Sequence, residues 1–247
     1  MDPRLEVIDR RLEKIDRLIG ITGGKGGIGK SSVASGLALT LAQRGKAVGL
    51  LDLDFCGPST HVILGIKDAQ PVEERGLVPP LVHVSGADHG IRFMSIIHFV
   101  GDNASPLRGT DVSNAMIELL AITQWGKLDY LILDMPPGLG DAILDTVRLM
   151  KRAEFLAVTT PSVVALETVK KVLHLLNDLK RPVIGVIENM RRGDEPSAQD
   201  ALAHLNVPFL GAIRFDGEFE SALGDVERFL RKYRLKPAAA SPEKTGA

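Results

Sequence analysis

The sequence is short of the residues that staple a chain, anchor it or bias its charge. Cys56 is the single cysteine in 247 residues. That excludes an intrachain disulfide framework and suits a reducing compartment. Thirty basic and 31 acidic side chains leave a net charge of −1, without the excess a general nucleic-acid or anionic-membrane binder carries. No apolar run approaches the roughly 20 residues of a membrane span. The charged opening, with Asp2, Arg4 and Glu6, does not read as a signal peptide. A cytoplasmic protein with no nucleic-acid partner and no membrane span is expected. Aromatic residues are scarce at 4%, but hydrophobic content is 45%, enough for a sizeable aliphatic core in one α/β domain. His61, His83, His89 and His98 lack paired metal-ligand spacing and read as solvated or packed side chains.

What is present centres on Gly23-Gly24-Lys25-Gly26-Gly27-Ile28-Gly29-Lys30-Ser31-Ser32. The apolar run Leu18–Thr22 precedes it and a helical pattern, Val33 to Arg44, follows. Strand, glycine-rich turn and helix are the context a P-loop requires, with Gly24 and Gly29 as the two glycines of G-x-x-x-x-G-K-[ST]. Such a turn points successive N–H groups of residues 24–32 at a phosphate, and the helix adds its free N–H groups and positive dipole end. Lys30 is placed to reach the β- and γ-phosphates and Ser31 to hold Mg²⁺. Lys25 stands where an ordinary P-loop needs no cation.

Two further strands end in carboxylates. Ala47–Leu51 runs into Asp52-Leu53-Asp54, and Tyr130–Leu133 runs into Asp134-Met135-Pro136-Pro137-Gly138. A carboxylate at the C-terminal end of a parallel strand faces the ligand crevice. Asp54 is expected to orient the attacking water or hold Mg²⁺ through water, and Asp134 to serve Mg²⁺ as a Walker B aspartate.

The remainder alternates strand and helix. Strands are expected at 91–96, 155–159, 183–188 and 209–213. Helices are expected at 110–123, 162–179 (with Ser162 as N-cap) and 218–234, and a loop or hairpin insertion at 66–90. Residues 4–18 read as an amphipathic helix built on Leu5, Ile8, Leu12, Ile15 and Leu18. The expected architecture is α/β, a doubly wound, mostly parallel sheet with helices on both faces. A single domain spans 1–235, with 1–17 as its N-terminal helix and 236–247 as a flexible tail.

Gly24-Lys25-Gly26-Gly27-x-Gly29-Lys30-Ser31 resembles the deviant Walker A motif of the Mrp/MinD/nitrogenase-iron-protein ATPases. The runs at Asp52–Ser59 and Asp134–Asp141 resemble the switch I and switch II of the Mrp branch, with Leu139 where relatives usually carry threonine. The resemblance implies ATP or ADP with Mg²⁺ as ligands and ATP hydrolysis by a homodimer formed in the ATP state. It also implies that Lys25 acts across the dimer, that Gly138 donates to the γ-phosphate and that Asn189, in Val-Ile-Glu-Asn-Met, contacts adenine. Arg214 follows the last strand and is read as a side chain that stacks on the base or pairs with a carboxylate. Asn177-Asp178-Leu179-Lys180 does not match a guanine-binding Asn-Lys-x-Asp. Cluster-carrying Mrp proteins have a Cys-x-x-Cys shortly after the asparagine motif, and here Arg191-Arg192-Gly193-Asp194-Glu195 stands instead, so no iron–sulfur cluster is expected. The chain therefore looks similar to a Cys-less metallocentre maturation ATPase. The expected example is the ATPase-type HypB, inserting nickel into nickel–iron hydrogenase with a HypA-type chaperone or another client apoprotein. The alternatives are an iron–sulfur cluster carrier of the Mrp type and a MinD-like positioning ATPase.

Overall fold

The computed structural model describes residues 2–67, 69–100, 110–193, 196–233 and 235–237. The chain begins with helix α1 (Arg4–Leu12), strand β1 (Ile15–Thr22), α2 (Lys30–Gln43), β2 (Val48–Asp52) and the short α3 (Thr60–Leu64). A small hairpin follows, β3 (Val72–Glu73) with β4 (Leu77–Val78), and then β5 (Leu81–Val82), β6 (Ile91–Ser95) and α4 (Ile97–Val100). The second half runs α5 (Thr110–Ile122), β7 (Leu128–Asp134), α6 (Asp141–Leu149), β8 (Ala153–Thr159), α7 (Val163–Asp178) and β9 (Val183–Arg191). It closes with α8 (Ala198–Leu202), β10 (Phe209–Arg214), α9 (Val226–Lys232) and β11 (Leu235–Pro237).

Nine strands form one sheet in the order β11-β10-β9-β8-β1-β7-β2-β6-β5. The seven from β10 to β6 are mutually parallel, and β11 and β5 close the two edges antiparallel. Strands such as Leu128–Asp134 are buried along most of their length, as expected where helices cover both faces. On one face α1, α5 and α6 pack Ile8, Met116, Leu120 and Val147 against the sheet. On the other, α2, α3 and α9 contribute Leu39, Ile63 and Phe229. Strand β1 lies between β7 and β8. The chain leaves β1 towards β2 on one side and later crosses from β7 to β8 on the other. This reversal opens a crevice at the C-terminal end of β1, the place where doubly wound sheets bind ligands.

Three expected elements are corrected. The N-terminal helix ends at Leu12 rather than running through residue 17 or 18, because Ile15 to Ile21 pair with β7 in register, Ile15 opposite Leu128. The apolar spacing of Ile15 and Leu18 serves a buried strand, and the polar residues between them sit at the sheet's lower edge, where Arg17 pairs with Glu154. The expected last helix is broken into a 3₁₀ turn, Phe219–Ala222, and α9. Gly224 (φ 79°) makes the break, and its N–H donates to Ile63 at 3.1 Å. The tail expected from 236 begins inside the sheet, since Lys236 pairs with Ala212; residues 238–247 lie outside the described residues. Ser162 occupies the N-cap position of α7, but its side chain makes no capping hydrogen bond.

Candidate nucleotide site

The turn from β1 into α2 is held open by glycine geometry. Gly27 and Gly29 take left-handed φ values of 75° and 82°, which cost other residues about 1 kcal/mol or more. Gly29 is also crowded, since a Cβ there would lie 2.2 Å from Asn189 Nδ2. Gly24 is glycine for another reason. Its missing Cβ would meet the backbone of Thr168 in α7 at 2.4 Å, so it seats the turn against the neighbouring helix.

Lys30 opens α2 almost fully buried, its Nζ 3.5 Å from the Lys25 carbonyl. Burial lowers its pKa, while the nearby Asp134 and Asp54 carboxylates pull it back up. One cavity of about 310 Å³ brings together Gly26, Gly27, Gly29, Lys30, Ser31 and Ser32 with Asp54, Gly57 and Ser59 of the first switch and Pro137 of the second. Gly138 has φ 89° and open space around it, as a backbone donor to an incoming ligand needs. Lys25 is exposed and lines an adjoining groove of about 400 Å³, which shares Gly26, Gly27 and Met190 with the first cavity and adds Thr160, Pro161, Ser162 and Arg192.

Asp52 and Asp134 are directly opposite each other on β2 and β7, and both are buried. Their surroundings divide their work. Asp52 Oδ1 accepts from the Asp54 N–H at 3.0 Å, and Oδ2 accepts from the N–H groups of Ser59 and Thr60 and from Thr60 Oγ1 at 2.6 Å. It shapes switch I and the start of α3. Burial raises its pKa, and these donors oppose the rise. Neither oxygen of Asp134 accepts a well-formed hydrogen bond, although the Ser31 side chain is near enough to favour its charged form. Burial and then the charge of Asp52 push its pKa well up, with Ser31 and Lys30 only partly opposing. A buried, unpartnered carboxylate beside a P-loop serine is the environment a divalent cation relieves. Ser31 and Asp134, with Asp54 through water, are the residues that fit Mg²⁺. Asp54 itself is turned into its loop, accepting from the N–H groups of Cys56 (3.2 Å) and Gly57 (3.0 Å).

Asn189, at the end of β9, is buried; its Nδ2 donates to the Ile28 carbonyl at 2.9 Å and its Oδ1 accepts from the Tyr233 hydroxyl at 3.1 Å. With Ser32, Arg214, Phe215 and Asp216 it lines a small recess of about 60 Å³. Arg214 is exposed at its rim. In place of a Cys-x-x-Cys, Arg191 pairs with the buried Glu188 at 3.1 Å and Arg192 lies 4.0 Å over the Phe215 ring. Among the described residues no group of three or more His, Cys, Asp or Glu side chains is arranged to hold a metal. No described helix is long and apolar enough to cross a membrane.

Three residues of this region were not given a role by the sequence reading. The role of Asp52 was signalled only by Ser59 and Thr60 arriving seven and eight residues later, where an aspartate can cap the next helix. Met190 lines all three cavities and holds a left-handed φ of 59°. Nothing in the sequence marks it or Tyr233.

A family profile described as "ParA: NUBPL iron-transfer P-loop NTPase" matches residues 14–244. An iron–sulfur cluster carrier protein of Methanocaldococcus jannaschii is 37% identical over 228 residues, 85% of this chain and 76% of that protein. The carrier of Escherichia coli is 40% identical over 178 residues, 71% of this chain. The chain spans 47% of that bacterial relative's length. Among solved structures, a nucleotide-binding protein of Archaeoglobus fulgidus in complex with ADP superposes with a TM-score of 0.76 at 31% identity, covering 92% of each chain. MinD of Pyrococcus horikoshii with Mg-ADP shares the fold, with a TM-score of 0.60 at 22% identity over 87% of this chain and 86% of that one. Profile, identity and coverage agree: the chain belongs to the NUBPL-type iron-transfer P-loop NTPases of the ParA family.

Proposed function

We propose that the protein is an ATP-binding and ATP-hydrolysing dimer switch that serves iron–sulfur cluster transfer or assembly. One observation carries the nucleotide half of the reading: the buried, unpartnered Asp134 stands beside Lys30 and Ser31, with a cavity that both switches line. The names of the relatives carry the other half. The expected nickel insertion with HypB-type activity and a HypA-type chaperone finds no support in them, and the cluster-carrier alternative takes its place.

In this reading the turn's N–H groups and Lys30 hold the phosphates, and Ser31 and Asp134 hold Mg²⁺. The ion they would hold would supply positive charge against the phosphates. Asp54 exchanges its loop contacts for the attacking water, and Gly138 donates to the γ-phosphate. Asn189 contacts the adenine edge, with Arg214 at the rim. Lys25, exposed and free of its own phosphate cavity, reaches the nucleotide of a second copy, which makes dimer formation depend on ATP. The iron–sulfur cluster is cargo rather than a resident group. Its usual ligand position here holds two arginines, each already engaged, so the chain supplies no cysteine pair there. Cys56 is exposed on the switch I loop.

The positioning-ATPase alternative needs Phe229–Tyr233 as a membrane-facing segment, yet Phe229 is fully buried against the core. The deciding experiment combines two readouts on purified protein. Phosphate release should require Mg²⁺ and vanish in Lys30→Ala. Anaerobic incubation with iron and sulfide, followed by transfer to an apo-ferredoxin, should respond to ATP. Hydrolysis without any nucleotide effect on cluster transfer would reject the assembly role and leave the ATPase.

A further inference from the structure

Tyr233 directly follows α9 and is fixed on several sides. Its ring stacks on Phe229, with centroids 5.1 Å apart and planes 25° apart, and leans on Phe219 at 5.4 Å. It also packs over Gly36 of α2, where an added Cβ would come within 3.0 Å of Tyr233 Cδ1. These contacts aim the hydroxyl at one group, Asn189 Oδ1, 3.1 Å away. At the other end of the same amide, Nδ2 donates to the Ile28 carbonyl inside the glycine turn at 2.9 Å. Turning the amide over would set Oδ1 against the Ile28 carbonyl, so that acceptor fixes the amide's orientation and the Tyr233 hydroxyl secures it.

A side-chain amide offers two donors and two acceptor positions. Tyr233 and Ile28 take one of each. What remains is one N–H and one lone pair on a buried side chain that lines the recess together with Ser32, Arg214 and Tyr233. That remainder complements adenine, whose edge presents the N7 acceptor beside the 6-amino donor. It opposes guanine, which presents acceptors at both N7 and O6. The recess is small, at about 60 Å³, which suits the edge of a base rather than a whole ring.

We propose that Tyr233 is a positioning residue for base selection: its hydroxyl holds the Asn189 amide so that the free N–H and lone pair meet a purine's N7 and 6-amino group. This rests on the reading of Asn189 as the adenine contact. It also ties the C-terminal helix to the P-loop through a single amide, so the base, the turn and α9 are read together.

The test measures equilibrium binding of ATP, GTP and purine riboside triphosphate, which lacks any 6-substituent, to the full chain and to Tyr233→Phe. The ring packing does not use the hydroxyl, so the variant should stay folded and melt only about 2–4 °C below the parent, from the loss of roughly one net hydrogen bond. The parent should favour ATP over GTP. In Tyr233→Phe, ATP should weaken about fivefold, the worth of one net hydrogen bond, and the ATP-to-GTP ratio should shrink accordingly. Purine riboside triphosphate should stay within about twofold, because the lost bond acts through the 6-amino contact and the two changes are coupled. Equal weakening of all three nucleotides, loss of fold, or unchanged ATP binding in a parent that prefers ATP would each overturn the role of Tyr233 alone. A parent with no ATP preference would overturn both this role and the reading of Asn189.

Discussion

Replacing Asp134 by asparagine should stabilise the nucleotide-free protein while disabling it. The carboxylate is 1% exposed, accepts no well-formed hydrogen bond and stands opposite Asp52. A buried polar group without a partner costs about 1–3 kcal/mol, and more when charged. The neutral amide removes the charge and its repulsion from Asp52. Taking about 1–3 kcal/mol as recovered, and about 2–4 °C per kcal/mol for a domain of this size, the melting temperature should rise by roughly 2–12 °C. The pH dependence has a definite sign. An acid whose pKa is raised on folding holds its proton more tightly in the native state, so its penalty grows as pH climbs above the ordinary value of 3.8 and is complete above the folded value. The gain of Asp134→Asn should therefore be full in alkaline buffer and shrink as pH falls towards 4. Thermal unfolding followed by dye fluorescence, without nucleotide and then with Mg²⁺ and a slowly hydrolysed ATP analogue, measures both halves. The parent should gain stability from Mg·nucleotide, by about 2.7 kcal/mol at a hundredfold excess over Kd, and the variant should gain much less. A variant that melts at or below the parent without nucleotide, at neutral pH, would refute the claim that this carboxylate is held in reserve for a cation.

Three other substitutions probe separate parts of the site. Gly24→Ala places a Cβ 2.4 Å from the Thr168 backbone and should cost about 1–3 kcal/mol by forcing α7 aside; an unchanged urea midpoint would reject the packing role. Lys25→Ala should leave nucleotide affinity of the single chain within about twofold yet abolish ATP-dependent association in sedimentation velocity. Persisting association would remove the trans role. Asp52→Ala deletes the acceptor of four hydrogen bonds and should destabilise by about 2–4 kcal/mol. Faster amide exchange at Ser59 and Thr60 is the expected signature, and unchanged exchange there would contradict it.

Much of this molecule was legible before any coordinates. The P-loop, the Asp134 strand and the alternation after it are local patterns whose meaning hardly depends on the rest of the chain. The N-terminal boundary was harder, because Ile8, Leu12, Ile15 and Leu18 fall at helical spacing although the last two belong to a strand buried between β7 and β8. Sequence spacing cannot reveal such neighbours. The split of the last helix turned on Gly224, whose close approach to Gly65 joins segments far apart in the chain. Asn189 was singled out by its motif, but the sequence could not show that its amide is held between Ile28 and Tyr233. Asp52 and Asp134 looked equivalent as strand-ending acids. Only the count of donors around each separates the one that organises protein from the one left open.

The grip of Asp52 on switch I has a mechanical consequence. One carboxylate ties down Asp54 at the near end and Ser59 and Thr60 at the far end, while α3 beyond is moored to Gly224. The stretch from Leu53 to Pro58 is thereby a noose with both ends on one peg, and it cannot swing out as an arm. Were Asp54 to release the Cys56 and Gly57 amides, the slack would stay within that noose, and Cys56 would be displaced by the width of the bight rather than by its contour length. A client that senses this switch would thus meet a small, repeatable change of outline at a fixed address on the surface.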